Sequence, residues 1–82
     1  MSMNVPEVFA PGAFLRDELA ARGWTQAELG EIMGRPTRLI NGIIAGKRAI
    51  TPDTAMQLGE ALGTSPDLWM NLESRYQLSK VR

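Results

Sequence analysis

TQAELGEIMGRPTRLINGIIAGKR, residues 25–48, contains two short helical patterns separated by a tight turn. Thr25 is a good N-cap, and Glu28 three residues later completes a capping box, so the first of these helices starts with two orphan backbone donors satisfied. Gln26 follows at the exposed helix start, where backbone amides and a side-chain amide converge and can hold a phosphate oxygen. Gly30 is small where the second helix must cross closely over the first, and Gly34 can supply the positive φ that turns the chain. A larger residue at either position should splay the pair. The stretch therefore reads as a helix-turn-helix that enters a DNA groove.

The second helix is expected over about Thr37 to Ala45. Advancing about 100° per residue puts Leu39, Ile40, Ile43 and Ile44 on one face and Thr37, Arg38, Asn41, Gly42 and Ala45 on the other. A recognition helix needs that division, with an aliphatic face docked on a core and an opposite face that can reach base edges. Arg38 can bond guanine bidentately and Asn41 can do the same with adenine, while Thr37 can meet a thymine methyl or a phosphate. The plainer reading is an ordinary pair of amphipathic helices in which Arg38 and Asn41 are merely solvated. Gln26, Gly30, Gly34, Ile40 and Ile43, each where such a motif constrains residue type, agree with the cap and favour the DNA-binding one. Gly42 fits neither cleanly. Glycine inside a helix costs about 1 kcal/mol relative to alanine, so it either permits a close approach to DNA or is a tolerated defect.

Gly46 closes this helix and turns Lys47 and Arg48 outward as candidate phosphate clamps, which set register on a duplex without reading its sequence. The formal charge is zero and the pI is 6.2, which taken alone argues against a nucleic-acid partner. Distribution overturns that objection. Between Ile32 and Pro52 stand Arg35, Arg38, Lys47 and Arg48 with no acidic residue, so positive potential gathers at the recognition helix and the loop after it. Salt should weaken binding strongly.

The chain has no cysteine and no histidine, which removes disulfides, thiolate and imidazole metal ligands and histidine acid/base chemistry. Asp17 and Glu18 are adjacent on a helix and point in different directions, as a solvated face does and a carboxylate dyad does not. No enzyme, metal or cofactor is expected. No apolar run approaches the ~18 residues of a membrane span and no signal-peptide pattern opens the chain, so no membrane role and a cytoplasmic location are expected.

At 82 residues one modest core is available, and oligomerisation would help stabilise it. Residues 1–12 carry two prolines and no helical period and read as an extended arm, followed by a single domain over residues 13–82. A helix is expected from about Ala13 to Arg22, with Phe14, Leu15 and Leu19 inward, Gly23 as its C-cap and Trp24 plugging the core after it. Thr51-Pro52-Asp53 and Ser65-Pro66-Asp67 repeat one start signal: a hydroxyl cap, a proline in the first helical position, and an aspartate at the positive helix end. The fourth helix buries Ala55, Leu58, Gly59 and Leu62 and ends at Gly63. The fifth, about Pro66 to Leu78, gathers Leu68, Trp69, Leu72 and Tyr76 on its inner face, leaving Met70 and Leu78 exposed unless a partner or a second copy buries them. Lys80 and Arg82 read as a solvated basic tail.

With these residues in place the chain resembles the HigA-type antitoxins, a branch of the phage-repressor-like, or XRE, helix-turn-helix proteins. The resemblance covers nearly the whole length and rests on PGAFLRDELAARGWTQAELGEIMGR, GKRAITPDTAMQLGEALGTSPDLWMNL and RYQL. The ITPDTA…LGTSPDLWMNL continuation is its most specific part. What the resemblance implies is an all-α, five-helix domain, usually dimeric, that represses its own operon by binding double-stranded operator DNA and neutralises a neighbouring RelE/HigB-like messenger-RNA endonuclease. Carried over by position, Gln26 and Arg48 would hold the DNA backbone and Thr37, Arg38 and Asn41 would face bases; Thr25 and Lys47, read from the residues themselves, complete the candidate DNA-binding set. Arg35 departs from the family's usual aliphatic residue and reads as an added phosphate contact. The alternative is a stand-alone helix-turn-helix regulator with no toxin partner.

Overall fold

The computed structural model describes residues 10–82, in which five helices and no strand follow one another: α1 (Pro11–Arg22), α2 (Gln26–Met33), α3 (Thr37–Ile44), α4 (Pro52–Leu62) and α5 (Pro66–Lys80). The expected five-helix, all-α architecture is the observed one. Three helices start as their local chemistry dictates. Thr25 Oγ1 accepts from the Glu28 amide at 3.0 Å while the Glu28 carboxylate accepts from the Thr25 amide at 2.7 Å, closing the capping box of α2. Thr51 caps α4 through the Thr54 amide and Ser65 caps α5 through the Asp67 amide, each with proline in the first turn. Gly34 ends α2 at φ +70°, a conformation that carries a Cβ penalty for any other residue, and it turns the chain toward α3.

The first helix begins at Pro11, two residues before the expected Ala13, so the extended arm read over 1–12 cannot include Pro11 and Gly12; residues 1–9 lie outside the described residues. Pro11 sits in the first turn, where its missing N–H costs nothing. Gly12 marks the crossing of α1 over the end of α3. A Cβ there would lie 2.1 Å from the Ile43 carbonyl oxygen and 2.6 Å from the Ile44 Cα, which are backbone atoms that cannot swing aside. The Pro-Gly pair that reads as a chain breaker is a helix start built for close packing.

One apolar core joins all five helices, from Leu15 and Leu19 of α1 through Leu29 and Met33, then Leu39, Ile40 and Ile43, to Leu58, Leu62 and Trp69. Its largest fully buried side chain is Trp69, with the Phe14 ring edge-on at 5.3 Å and the indole N–H donating to Thr64 Oγ1 at 2.8 Å. Trp24, expected to fill the core, is half-buried at its margin with the Arg22 guanidinium 5.8 Å from its ring centre. Arg22 itself donates to Glu18 Oε1 and to the Leu62 carbonyl, both at 2.7 Å, and so ties the end of α1 to an otherwise unpaired carbonyl at the end of α4. Glu18 is thus an ion-pair partner, and it forms no dyad with Asp17.

The fifth helix packs on both α4 and α1, and this changes the reading of its faces. Met70, expected to point away with Leu78, is half-buried against the core, because a helix wheel drawn for one neighbour omits the surface covered by a second. Leu78 is 47% exposed. The buried stripe of α5 carries an unexpected residue, Glu73, four residues after Trp69 and only 7% exposed.

Because Trp69 joins α5 to α1 and to the turn before it, Trp69→Ala should lower the unfolding free energy by about 3–5 kcal/mol, a large share of what a domain this size has. Urea denaturation followed by circular dichroism measures it. Trp69→Phe, which fills most of the space but loses the bond to Thr64, should fall between that variant and the parent chain.

Candidate nucleic-acid interface

The third helix presents one face and hides the other. Leu39, Ile40 and Ile43 are at most 5% exposed, with Ile44 half-buried beside them, while Thr37, Arg38, Asn41 and Ala45 are exposed on the opposite side. Apart from Gly42, the division expected from periodicity is the one observed, and it leaves the donor fork of Arg38 and the donor–acceptor amide of Asn41 about one turn apart on one exposed face. The turn before α3 holds that surface in place. The Arg35 amide donates to the Gly30 carbonyl at 2.9 Å, and a Cβ on Gly30 would sit 2.9 Å from the Arg35 oxygen and 3.4 Å from the Thr37 nitrogen. Gly30 is therefore small because the turn and the start of α3 lie directly on it.

Not every basic or polar candidate joins this face. Arg35 Nη1 donates to Gln57 Oε1 at 2.8 Å, so the side chain read as an added phosphate contact is half-buried and bound to α4. The Thr25 hydroxyl is engaged in the cap of α2, and Gln26 beside it is half-buried in the first turn of that helix. Lys47 and Arg48 are exposed, together with Ala49. Among the described residues the one ion pair is Glu18 with Arg22, so Arg38, Lys47 and Arg48 carry their charges without a carboxylate partner there.

The loop bearing Lys47 and Arg48 is pinned at both ends. At one end Gly46 adopts φ +76°, and the Lys47 and Arg48 amides both donate to the Gly42 carbonyl, at 2.8 and 3.1 Å. At the other end the buried Ile50 amide donates to Glu73 Oε1 at 3.0 Å, and the second oxygen of Glu73 accepts from the Gln77 side chain. Between the loop and α5 lies a cleft of about 190 Å³ whose lining includes Lys47, Arg48, Glu73 and Tyr76, with Lys80 Nζ 4.5 Å from the Tyr76 ring centre. Glu73 thus does for the loop what Gly30 does for the turn. Its signal was present in the sequence, since it stands four residues after Trp69 on the buried stripe, where a carboxylate must find a donor.

Gly42, placed by periodicity on the outward face, lies under the side chain of Arg48: a Cβ on it would come within 2.6 Å of both Arg48 Cγ and Cδ. No helix of the described residues is long and apolar enough to cross a membrane.

Removing the Glu73 carboxylate strands the Ile50 amide away from water. Glu73→Ala should therefore cost about 1–3 kcal/mol of stability and speed hydrogen exchange at Ile50 well beyond the change at α1 amides. Uniform protection across both sites in that variant would mean that the carboxylate does not hold the loop.

Comparison with known proteins places this geometry. The helix-turn-helix family model matches residues 15–69, most of the chain. Among solved structures, the Pseudomonas aeruginosa antitoxin HigA with the higBA promoter is 34% identical, with a TM-score of 0.87 over 92% of this chain and 83% of that one. A Pseudomonas aeruginosa protein in complex with its operator DNA is 33% identical, with a TM-score of 0.88 over 94% and 84%. An addiction module antidote protein of the HigA family from Coxiella burnetii is 32% identical, with a TM-score of 0.84 over 89% and 80%. With the pinned turn, the two-faced α3 and this likeness along nearly its whole length, the chain belongs to the helix-turn-helix family and, within it, to the HigA-type antitoxins.

Proposed function

We propose that this protein is the antitoxin of a type II toxin–antitoxin module, which represses its own operon by binding operator DNA and neutralises a RelE/HigB-like messenger-RNA endonuclease by direct contact. The observation that carries the DNA half is the exposed row of Thr37, Arg38 and Asn41 on a helix whose opposite face is buried, flanked by Lys47 and Arg48 on a loop pinned at both ends. Two of the similar structures, described with operator or promoter DNA, support it.

Roles follow from the chemistry of each side chain. Arg38 reads guanine O6 and N7 in the major groove, Asn41 reads adenine N6 and N7, and Thr37, at the first turn of α3, takes a thymine methyl or a phosphate. Gln26, Lys47 and Arg48 hold the backbone. Thr25 contributes through the start of α2 that it caps, and Arg35 through the bond it makes from the turn between α2 and α3 to Gln57 of α4. The protein acts as a homodimer whose recognition helices stand about 34 Å apart, one turn of the duplex, and Leu78 is the apolar side chain left exposed on α5 for a second copy or the toxin. Met70, already packed on the core, contributes less to such a surface.

Expressing the adjacent reading frame alone should arrest growth, and co-expression of this chain should relieve the arrest. Absence of arrest with the neighbour demonstrably present would leave a stand-alone repressor. On DNA, footprinting of the upstream region should show two protected half-sites. Arg38→Ala should cost about 1–3 kcal/mol and relax preference at one base pair. Lys47→Ala should weaken binding to all sequences alike and reduce the salt slope by about one. Protection of a single half-site at saturating protein would exclude the symmetric dimer.

A further inference from the structure

The feature that DNA reading leaves unexplained is a glycine in the middle of the recognition helix. Gly42 lies one turn after Arg38, inside a helix of eight residues, where alanine would be the better helix former. It is half-buried, and what covers it is the stem of Arg48: an added Cβ would sit 2.6 Å from both Cγ and Cδ and 3.3 Å from Cβ of that residue. The backbone brings the two together, since the Gly42 carbonyl accepts the amides of both Lys47 and Arg48 and so folds the loop back over the end of α3.

We infer that Gly42 is a positioning residue for Arg48: its missing side chain leaves a shallow seat on α3 along which the arginine stem lies, so that the guanidinium is presented beside the recognition face instead of ranging freely from the loop. The inference rests on the reading of Arg48 as a DNA-backbone contact and adds how that contact is prepared. Arginine has many rotamers, and a stem already laid against a helix loses less freedom when its head group meets a phosphate. Nothing in this needs the glycine to touch DNA. The obstructing atoms are those of a flexible side chain, so a Cβ at position 42 would displace the arginine and leave the helix intact. This separates Gly42 from Gly12, where a Cβ would strike backbone.

The test is a double-mutant cycle of Gly42→Ala and Arg48→Ala in the full chain. Binding to a duplex of the DNA immediately upstream of the gene is followed by fluorescence anisotropy across a salt series, with melting temperatures measured alongside. Arg48→Ala should weaken binding about tenfold and lower the salt slope by about one. Gly42→Ala should weaken it several-fold and lower the slope in the same direction, with a melting temperature no lower than the parent's, because alanine suits a helix interior. Introducing Gly42→Ala into the Arg48→Ala protein should then change neither quantity. Parental affinity in Gly42→Ala, or an equal loss with and without Arg48, would overturn the positioning role while leaving the DNA contact of Arg48 standing. Parental affinity in Arg48→Ala would remove the contact itself and the inference with it. A measurement needing no variant completes the test: nuclear Overhauser cross-peaks between the Gly42 α protons and the Arg48 γ and δ protons are expected in the free protein, and their absence would overturn the seat.

Discussion

The docking of three side chains, Leu39, Ile40 and Ile43, against α1 and α2 is the constraint on which the rest of the molecule depends. An isolated helix of eight residues is not stable in water, so α3 exists because its apolar face is buried. Each such side chain contributes about 1.5–3 kcal/mol on full burial, and three together are comparable to the whole stability of a small domain. Burial also sets rotation. With those residues held under the helix, Thr37, Arg38 and Asn41 have no direction left but outward. The packing that stabilises the fold and the presentation of the reading face are one event.

Polar contacts then finish what the core begins, and each acts where the backbone would otherwise lack a partner. The capping box starts α2, Arg22 takes the last carbonyl of α4, and Glu73 takes the Ile50 amide at the end of the cationic loop. Glu73 lies on α5, and the loop it holds carries Lys47 and Arg48. The helix that closes the core therefore also anchors the surface offered to phosphate, and the cleft between them is lined by both. A carboxylate buried in this way must be bonded by donors, and both of its oxygens are.

Zero net charge is compatible with this surface because the charges are sorted. Four cations and no carboxylate occur between Ile32 and Pro52, and the fold then subtracts Arg35, which it turns onto Gln57. Of the four, Arg38 on the helix and Lys47 and Arg48 on the loop remain exposed, and their field is short-ranged at physiological salt.

Features that depend on neighbours along the chain are legible in the order of residues. Thr25 with Glu28, the two hydroxyl-Pro-Asp starts, the turn at Gly34 and the aliphatic stripe of α3 all act over one to four residues, and so their reading matches the structure. Tertiary structure alone decided the contacts made across the fold. Arg35 bonds a partner 22 residues away and Ile50 one 23 residues away, spacings that no periodicity announces. The close passage of α3 by Gly12, the full burial of Trp69 but not of Trp24, and the cover over Met70 depend on how the helices meet, with α5 packed on two neighbours. From the sequence Gly42 is open between a close approach to DNA and a tolerated defect, because the stem of Arg48 is brought over it only when the loop folds back. Local hydrogen bonds and helical periodicity are written in the order of residues, whereas which side chain fills a given space is settled only when all five helices compete for it.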